Sequence, residues 1–388
     1  MQPLFSILMC TYNSSKTLES SICSVMNQRY KLWELVILDN GSSDLTVDML
    51  RQYEAIDSRI RIECGEKNIG WCKGISECLK RANGKYMMFL GADDYLPNNA
   101  VLEEIACEVE KHNPDIVFTG AKAIYYENEQ CNAQVDILPS YRVWTDENVA
   151  EKLASLMDEV YYNSVMHYVR IDFLKDIGVD FFSPFYGDCQ GITEVICKAK
   201  KMVVLDKISY VLAIHTSQTS GAVIYDYDFS RQWRSIRDAI GEISGQNYSI
   251  VCHIAERVAT NLTTMCEHIL LGGKVRNQLM IDMKVGLPER FCLIEKWLDC
   301  DIFMELISFS KRQIYEEKVV GTAGVLYWEC KKNKNISDEI KRRSRWLADL
   351  VEEIMIRDSD GVLQWKNAYE EDEFHQIIMN YRTGEKLC

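Results

Sequence analysis

The sequence lacks the cysteine patterns of several common protein classes. It contains no Cys-x-x-Cys pair, although 15 of its 388 residues are cysteines, so a zinc ribbon or a thioredoxin-like redox site is unsupported. The cysteines are scattered and odd in number, and several of them lie in apolar periodic runs. We therefore expect reduced, buried thiols in a cytoplasmic protein.

Long apolar runs are also absent. No uninterrupted apolar stretch is long enough to span a bilayer. Residues 3–10 have the pattern of a strand, and no basic region followed by an apolar signal core precedes them. These features predict a protein without a transmembrane segment.

Positive charge is scarce. The chain has 44 lysines and arginines against 58 aspartates and glutamates, which gives a formal net charge of -14. Such a surface repels a phosphate backbone, so we expect no nucleic-acid partner. A nucleotide ligand remains compatible with this charge, because a metal ion can mediate between acidic side chains and a diphosphate.

The first 120 residues alternate short apolar strands with amphipathic helices. The predicted strands are residues 5–10, 33–38, 59–64, 86–90 and 115–119. Helices are predicted at residues 14–27, 70–82 and 97–111, and one more runs through Val47, Leu50 and Tyr53. This alternation predicts an α/β fold with a mostly parallel central sheet and helices on both faces. In such sheets ligands bind beyond the carboxyl ends of the strands.

The pattern changes in the second half of the chain. It is mixed up to about residue 220, with a strand predicted at 202–214, and mainly helical beyond residue 225. One long helix is predicted at 337–356, with Ser337 as its N-terminal cap. We therefore expect two domains, 1–222 and 223–388, the second mainly α-helical.

Two adjacent carboxylates, Asp93 and Asp94, directly follow the predicted strand at 86–90. Like charges side by side are unfavourable without a cation, and oxygen ligands of this kind suit Mg²⁺ or Mn²⁺ shared with phosphate oxygens. A capped turn before the next helix explains the same residues. Local sequence alone leaves both interpretations open.

The order of several motifs resembles one known family. The segments are Ser6–Asn13, Leu38–Asp44, Asn68–Gly70, Gly84–Tyr86 and Gly91–Asp94. Each is weak alone, but together and in this order they resemble a family 2 glycosyltransferase with the Rossmann-like GT-A fold. The resemblance covers about the first 120 residues well and becomes weaker up to about residue 220. It implies inverting transfer of a sugar from a nucleotide-sugar, expected to be a UDP-sugar, to the hydroxyl of a saccharide, lipid-linked or protein acceptor.

The resemblance also implies roles for residues near the donor's base and phosphates. Thr11, Tyr12 and Asn13 match the loop that holds the base and ribose, and Asp39 matches the carboxylate that recognises the base. Asn40 stands where the family often has a second Asp, which makes the identity of the base less certain. The same motif ends at Asp44, for which we favour a helix cap over a ligand contact. Downstream, Lys73 could contact phosphate, whereas Trp71 is expected to be packing.

Metal ligands are implied at three positions. Asp94 is expected on Mn²⁺ or Mg²⁺ and Asp93 toward the ribose or sugar, although the two roles could be reversed. Many relatives have a further Asp where this chain has Gly91. His215, at the end of a strand, could complete the metal shell or be structural.

The general base is implied within residues 186–192. Family members place an acidic residue before a late helix, and Asp188 occupies that position here. The family's preceding Glu is replaced by Gly187, and Glu194, one helical turn further on, is a rival base.

Other functions are less well supported. A non-catalytic GT-A domain that serves as a binding or assembly module remains an alternative. A nucleotidyltransferase is disfavoured because residues 10–16 lack a Gly-rich phosphate loop. The helical domain could select the acceptor, form a homo-oligomer or dock on a membrane. Its basic segments, 331–334 and 341–346, could meet anionic lipid, but we favour a solvated helix face.

Overall fold

The computed structural model describes residues 2–127, 130–145, 149–159, 167–178, 192, 195–215, 234, 236–238, 248–271, 286–360 and 362–384. The described residues divide into two compact units. The first comprises those up to 215 together with 236–238, and the second comprises 234 and those from 248 onward. The boundary predicted at residue 222 lies outside the described residues and stays a prediction.

The first unit alternates strands with helices, as the sequence pattern predicts. Its strands are β1 (Phe5–Thr11), β2 (Trp33–Asp39), β3 (Ile60–Cys64), β4 (Tyr86–Phe89), β5 (Ile116–Glu127), β6 (Gln130–Ile137), β7 (Arg142–Thr145), β8 (His167–Arg170) and β9 (Lys201–His215). Its helices are α1 (Leu18–Met26), α2 (Thr46–Ile56), α3 (Trp71–Lys80), α4 (Val101–His112), α5 (Val149–Glu159) and α6 (Ile171–Ile177). The fifth predicted strand is much longer than expected, because β5 continues to Glu127.

These strands form a mixed but mostly parallel sheet. Within the described residues its order is β3-β2-β1-β4-β8-β5-β9-β7. Strand β6 pairs with the C-terminal half of β5, from Ala121 to Glu127. Strands β1 to β4 are parallel to their neighbours in this group, and β5 is parallel to β9. Strands β6, β7 and β8 pair antiparallel. The predicted fold class is confirmed.

The central strands β1, β2 and β4 are buried along almost their whole length. Their near-continuous apolar sequences are typical of parallel strands that are covered on both faces. At the sheet edge, β3 buries only Ile60 completely. This core fixes the position of the residues that follow each central strand.

The register brings the ends of these strands together. Thr11, the last residue of β1, lies beside Asp39, the last residue of β2. On the other side of β1, Leu8 lies beside Phe89, the last residue of β4. The polar residues that follow β1, β2 and β4 therefore emerge at one edge of the sheet, which we call the carboxyl edge.

The second unit is mainly helical, with one small hairpin. Its helices are α7 (Tyr248–Leu270), α8 (Leu287–Leu298), α9 (Asp301–Ser308), α10 (Arg312–Cys330), α11 (Lys334–Arg343), α12 (Leu347–Ile354) and α13 (Glu371–Thr383). The hairpin consists of β10 (Met355–Arg357) and β11 (Leu363–Trp365). Among the described helices of the chain, none is both long enough and apolar enough to cross a membrane.

The single helix predicted at 337–356 is wrong. Two helices, α11 and α12, cover this segment, and Asn333 rather than Ser337 caps the first by accepting a bond from the Asn335 amide at 3.1 Å. The break has a physical cause in Glu295 of α8. Its carboxylate accepts bonds from the Trp346 and Leu347 amides at 2.8 and 3.1 Å, where it stabilises the start of α12.

The basic segments 331–334 and 341–346 are largely ion-paired within the second unit. The pairs are Lys331 and Lys341 with Glu352, Lys332 with Glu329, Arg343 with Glu289 and Glu339, and Arg345 with Asp299. Because these lysines and arginines are paired with carboxylates, less positive charge is available to bind anionic lipid. This agrees with the favoured interpretation of a solvated helix face. Membrane contact stays a prediction.

The cysteines are only partly as expected. All described cysteines are free thiols, and Cys78 and Cys330 are buried. Cys107, which lies in an apolar run, is exposed, as are Cys64 and Cys131. An apolar run on a surface helix therefore does not guarantee a buried thiol.

The helical unit contains a fully buried acid, Glu316. Glu316 of α10 is completely buried, and its carboxylate lies 2.5 Å from Nδ1 of His375 on α13. Burial raises the pKa of Glu316 to about 8; Arg312 opposes the rise, and Glu371 and Glu317 add to it. The folded chain therefore binds this proton more tightly than the unfolded chain does.

We expect Glu316→Gln to stabilise the helical unit at high pH. A raised pKa gives stability that is complete below the unfolded pKa, near 4.5, and lost as pH rises through about 8. Between pH 5 and 9 the free energy of unfolding should shift in favour of the variant by about 4 kcal/mol. Denaturant unfolding at several pH values measures this. Exposed Glu373→Gln is the control, and a difference that does not grow with pH would contradict the assignment.

Candidate active site

The loops after β1 and β2 are bonded to each other at the carboxyl edge. Asn13, which has a φ of 50°, donates its amide to Ser42 Oγ at 2.8 Å and accepts the Ser43 amide at 2.8 Å. The Ser14 amide donates to Thr46 Oγ1 at 2.8 Å. Asparagine tolerates the left-handed backbone that this turn requires. The two loops therefore form one preformed unit.

Asp39 stabilises the loop after β2. Its side chain is 1% exposed, and Oδ2 accepts the amides of Gly41 and Ser42 at 3.1 and 3.0 Å. Thr11 Oγ1 donates to Oδ1 at 3.3 Å. From the described part of the chain, Oδ1 accepts only this one bond and keeps a further lone pair, so the carboxylate can still accept a bond from a ligand. Asp44 directly precedes Leu45, the N-cap residue of α2, and its Oδ1 accepts the Thr46 amide at 3.0 Å.

Asn40 uses both ends of its amide inside the protein. Its Nδ2 donates to Asn68 Oδ1 at 2.9 Å, and its Oδ1 accepts the Ile69 amide at 2.8 Å. Asn68 Oδ1 also accepts the Gly70 amide at 2.9 Å. Gly70 has a φ of 87° and directly precedes α3. Asn40 therefore orients the segment that begins α3, and its role in binding the donor's base stays a prediction.

The loop Gly91–Asp94, which we call the acidic loop, follows β4. Asp94 is 7% exposed, and its Oδ2 accepts the Tyr210 hydroxyl at 2.7 Å. Its Oδ1 accepts the Ala213 amide at 2.9 Å. Burial, and then the charge of Asp93, raise the pKa of Asp94 to about 7, against the lowering effect of these two hydrogen bonds. The carboxylate is held in place but lacks a compensating positive charge among these partners.

The two carboxylates of the acidic loop converge over Gly91. A Cβ atom at Gly91 would lie 2.5 Å from Asp94 Oδ2 and 2.8 Å from Asp93 Oδ1. A third Asp at this position, as many relatives have, would therefore require both carboxylates to move. Because both oxygens approach the same point, one cation could contact both carboxylates.

The donor set fits a cation that shares its coordination with a substrate. Among the described residues, no group of three His, Cys, Asp or Glu side chains gathers to hold a metal ion. Mg²⁺ commonly uses one or two carboxylates and completes its shell with phosphate oxygens and water. His215 ends β9 beside Tyr126, and its role as a ligand stays a prediction.

Three further predicted positions lie near the start of α3 or the end of β1. Trp71 is 36% exposed and packs edge-to-face on Phe89, with ring centroids 5.8 Å apart, so it is in part the packing residue that was expected. Lys73 and Tyr12 are exposed. The predicted bases Asp188 and Glu194 lie outside the described residues.

Sequence reasoning missed two residues at this edge. The sequence pattern identifies Tyr210 only as part of the apolar strand predicted at 202–214. Asn68 belongs to a motif that supported the resemblance, but no role followed from it. A hydroxyl group within an otherwise apolar strand is the signal that could have drawn attention to Tyr210, because a buried polar group needs a hydrogen-bond partner.

Part of the chain is similar to a known protein family. Residues 6–172 match the family model described as Glycosyl transferase family 2. An uncharacterized glycosyltransferase of Haemophilus influenzae is 27% identical over 163 residues, which are 42% of this chain and 49% of that protein. The Escherichia coli protein WfgD, a UDP-Glc:alpha-D-GlcNAc-diphosphoundecaprenol beta-1,3-glucosyltransferase, is 40% identical over 91 residues, 24% of this chain and 35% of WfgD.

The fold has a close counterpart in a solved structure. TarS 1-349 of S. aureus, in complex with UDP-GlcNAc, superposes with a TM-score of 0.60 and 17% identity over 96% of this chain and 98% of that chain. This likeness shows the fold. The chain spans less than half the length of these two curated relatives. Residues 6–172 thus match the family 2 glycosyltransferase model, and the chain has the fold of TarS.

We expect Gly91→Ala to impair cation binding at the acidic loop. The added methyl group cannot occupy its position unless both carboxylates move, which separates the two proposed ligands. Calorimetric titration with Mn²⁺ in the presence of UDP should show an affinity at least about tenfold weaker.

Gly321→Ala in α10 is the matched control for this substitution. Its Cβ would meet only Trp365, at 3.9 Å, so cation binding should be unchanged. Wild-type affinity in Gly91→Ala would show that the two carboxylates do not act together.

Proposed function

We propose that this chain transfers a sugar from a UDP-sugar to an acceptor hydroxyl with inversion, using a divalent cation. The observation that carries the proposal is the convergence of Asp93 and Asp94 over Gly91 at the carboxyl edge of a family 2 glycosyltransferase domain. Two close carboxylates with little solvent favour a bound cation. A diphosphate is the substrate group that would complete its shell.

The donor's nucleotide would bind across the ends of β1 and β2. Asp39 is the candidate for reading the base, and exposed Tyr12 offers an aromatic face beside it. Thr11 and Asn13 act in this proposal by fixing the carboxylate and the loop. Uracil is supported by what relatives bind: WfgD is named for UDP-Glc, and TarS was solved with UDP-GlcNAc.

The diphosphate would lie between the acidic loop and the first turn of α3. A bound Mn²⁺ or Mg²⁺ would act as a Lewis acid that offsets the charge developing on the leaving diphosphate. Asp93 and Asp94 would hold it, and His215 is a candidate third ligand. Lys73 supplies a positive charge for the phosphates from α3.

The proposed reaction has one nucleophile and one leaving group. The acceptor oxygen forms a bond to the anomeric carbon while the bond from that carbon to the β-phosphate oxygen breaks, so UDP leaves. Asp188 takes the acceptor's hydroxyl proton, and attack opposite the leaving group inverts the configuration. Glu194 is the alternative base.

Acceptor and assembly are proposed more broadly. The acceptor is a hydroxyl group of a saccharide, a lipid-linked sugar or a protein. The name of WfgD describes a lipid-linked diphosphate sugar as its acceptor, which supports that class. Cytoplasmic location, peripheral membrane contact and homo-oligomerisation through the helical unit stay predictions.

Donor binding and turnover by the wild-type chain test the proposal. Thermal shift with a panel of nucleotide-sugars should show stabilisation by UDP-sugars that depends on Mn²⁺ or Mg²⁺. Release of UDP in the presence of acceptors should then report transfer. Binding without turnover for every acceptor would favour the binding module, and no binding of any nucleotide-sugar would contradict the proposal.

Asp94→Asn should lower the turnover number at least about 100-fold, because it removes a charge that acts on the leaving diphosphate. Steady-state release of UDP measures this. The same change at exposed Asp48, in the first turn of α2, is the control and should have no effect. Undiminished turnover in Asp94→Asn would remove this residue from the mechanism.

Asp188→Asn and Glu194→Gln separate the two candidate bases. We expect Asp188→Asn to keep donor affinity and to lower the transfer rate about 100-fold or more, because the acceptor loses its proton acceptor. Glu194→Gln should retain most of its activity. The reverse result assigns the base to Glu194, and full activity of both variants would contradict a base in this segment.

A further inference from the structure

Strand β9 binds the acidic loop through side-chain and backbone contacts. Tyr210 is fully buried in the core of the first unit, and its hydroxyl bonds to the acidic loop more than 100 residues earlier in the sequence. One residue further along β9, Val211 exchanges two backbone bonds with Tyr95, at 2.9 and 3.2 Å. The acidic loop is therefore fixed to β9 as well as to the end of β4.

The Tyr210 hydroxyl is at the centre of this connection. It donates to Asp94 Oδ2 at 2.7 Å and accepts the Gly91 amide at 2.9 Å. The other oxygen of Asp94 accepts the Ala213 amide at 2.9 Å. A carboxylate with one fixed donor on each oxygen has a defined position and orientation, and hydrogen bonds to a charged acceptor are among the strong ones.

The same contacts leave coordination sites on Asp94. Each carboxylate oxygen has about two lone pairs, and one donor on each oxygen uses half of them. Asp94 Oδ2, which accepts the bond from Tyr210, thus keeps a lone pair. The same oxygen and Asp93 Oδ1 both lie close to Gly91, on the side where its Cβ atom would be. Tyr210 fixes the oxygen that a cation between the two carboxylates would use.

We propose that Tyr210 is a positioning residue that sets the affinity of the acidic loop for its divalent cation by fixing the Asp94 carboxylate. This inference rests on the proposed function, because it concerns the same cation. Without the hydroxyl, Asp94 Oδ2 and the Gly91 amide lose a shared partner, and the carboxylate must be ordered when the cation binds. The cost of that ordering then opposes cation binding.

A purely structural role for Tyr210 predicts something different. Loss of a buried hydroxyl would lower the stability of the domain and the fraction of active protein. It would not change the cation concentration at half-saturation in the molecules that remain folded. That concentration therefore separates a positioning role from a structural one.

The test is Tyr210→Phe, with Mn²⁺-dependent binding of UDP as the readout. We expect the Mn²⁺ concentration at half-saturation to rise about tenfold, the equivalent of one strong hydrogen bond. At saturating Mn²⁺ the affinity for UDP should approach that of the wild type, and KM should change more than kcat. An unchanged half-saturation concentration in folded Tyr210→Phe would overturn the proposal.

Tyr168→Phe is the matched control. Tyr168 is equally buried in the same core, and its hydroxyl bonds to neither aspartate of the acidic loop. Its removal should leave the Mn²⁺ dependence unchanged, and a shift equal to that of Tyr210→Phe would assign the effect to the core in general. If the wild type shows no Mn²⁺-dependent UDP binding, the proposed function fails, which is a separate outcome.

A second variant covers the case in which Tyr210→Phe does not fold. Replacement of Tyr210 by para-aminophenylalanine keeps the ring and a weaker donor, so the fold should be retained. We expect a smaller shift, about threefold, in the Mn²⁺ concentration at half-saturation. A tenfold shift in this variant, although it keeps a donor, would contradict the positioning role.

Discussion

The site depends on the placement of two neighbouring carboxylates where little water reaches one of them. Asp94 is almost fully buried, and Asp93 adds a second negative charge beside it. Like charges in such a position are costly unless a cation or a proton compensates them. Burial and the charge of Asp93 raise the pKa of Asp94 to about 7. The arrangement is therefore best suited to a ligand that brings positive charge.

The sheet creates this arrangement through its topology. Parallel strands β1, β2 and β4 end at one edge, so Thr11, Asp39 and the acidic loop come together although they are far apart in sequence. Strand β9 then supplies Tyr210 and the Ala213 amide to Asp94 from the other half of the sheet. Strand β9, which lies in the part of the sheet with antiparallel strands, thus fixes a carboxylate that follows the parallel strand β4.

The sequence predicted the framework well, because local signals determine it. Buried apolar runs predicted the central strands, and polar residues at their ends predicted Asp39, Asp93 and Asp94 as site candidates. The sequence did not reveal the two internal hydrogen bonds of Asn40, because an amide that could read a base can also bond to its neighbours. Its two partners, Asn68 and Ile69, become visible only in the fold.

Long-range contacts explain the other differences. Tyr210 resembles an ordinary core residue until its hydroxyl is placed against Asp94. The apolar period continues from Ile340 to Leu347 across the break between α11 and α12, so periodicity alone predicted one helix. The break is stabilised by Glu295, about 50 residues earlier, and a local pattern contains no information about such a partner.

The most direct measurement is a crystal structure of the chain with UDP and Mn²⁺, with the metal located by its anomalous signal. The account predicts one Mn²⁺ at the carboxyl edge, about 2.1 Å from an oxygen of Asp93 or Asp94 and from oxygens of the diphosphate. UDP bound at this edge with no metal beside these carboxylates, or Mn²⁺ bound only elsewhere, would contradict it.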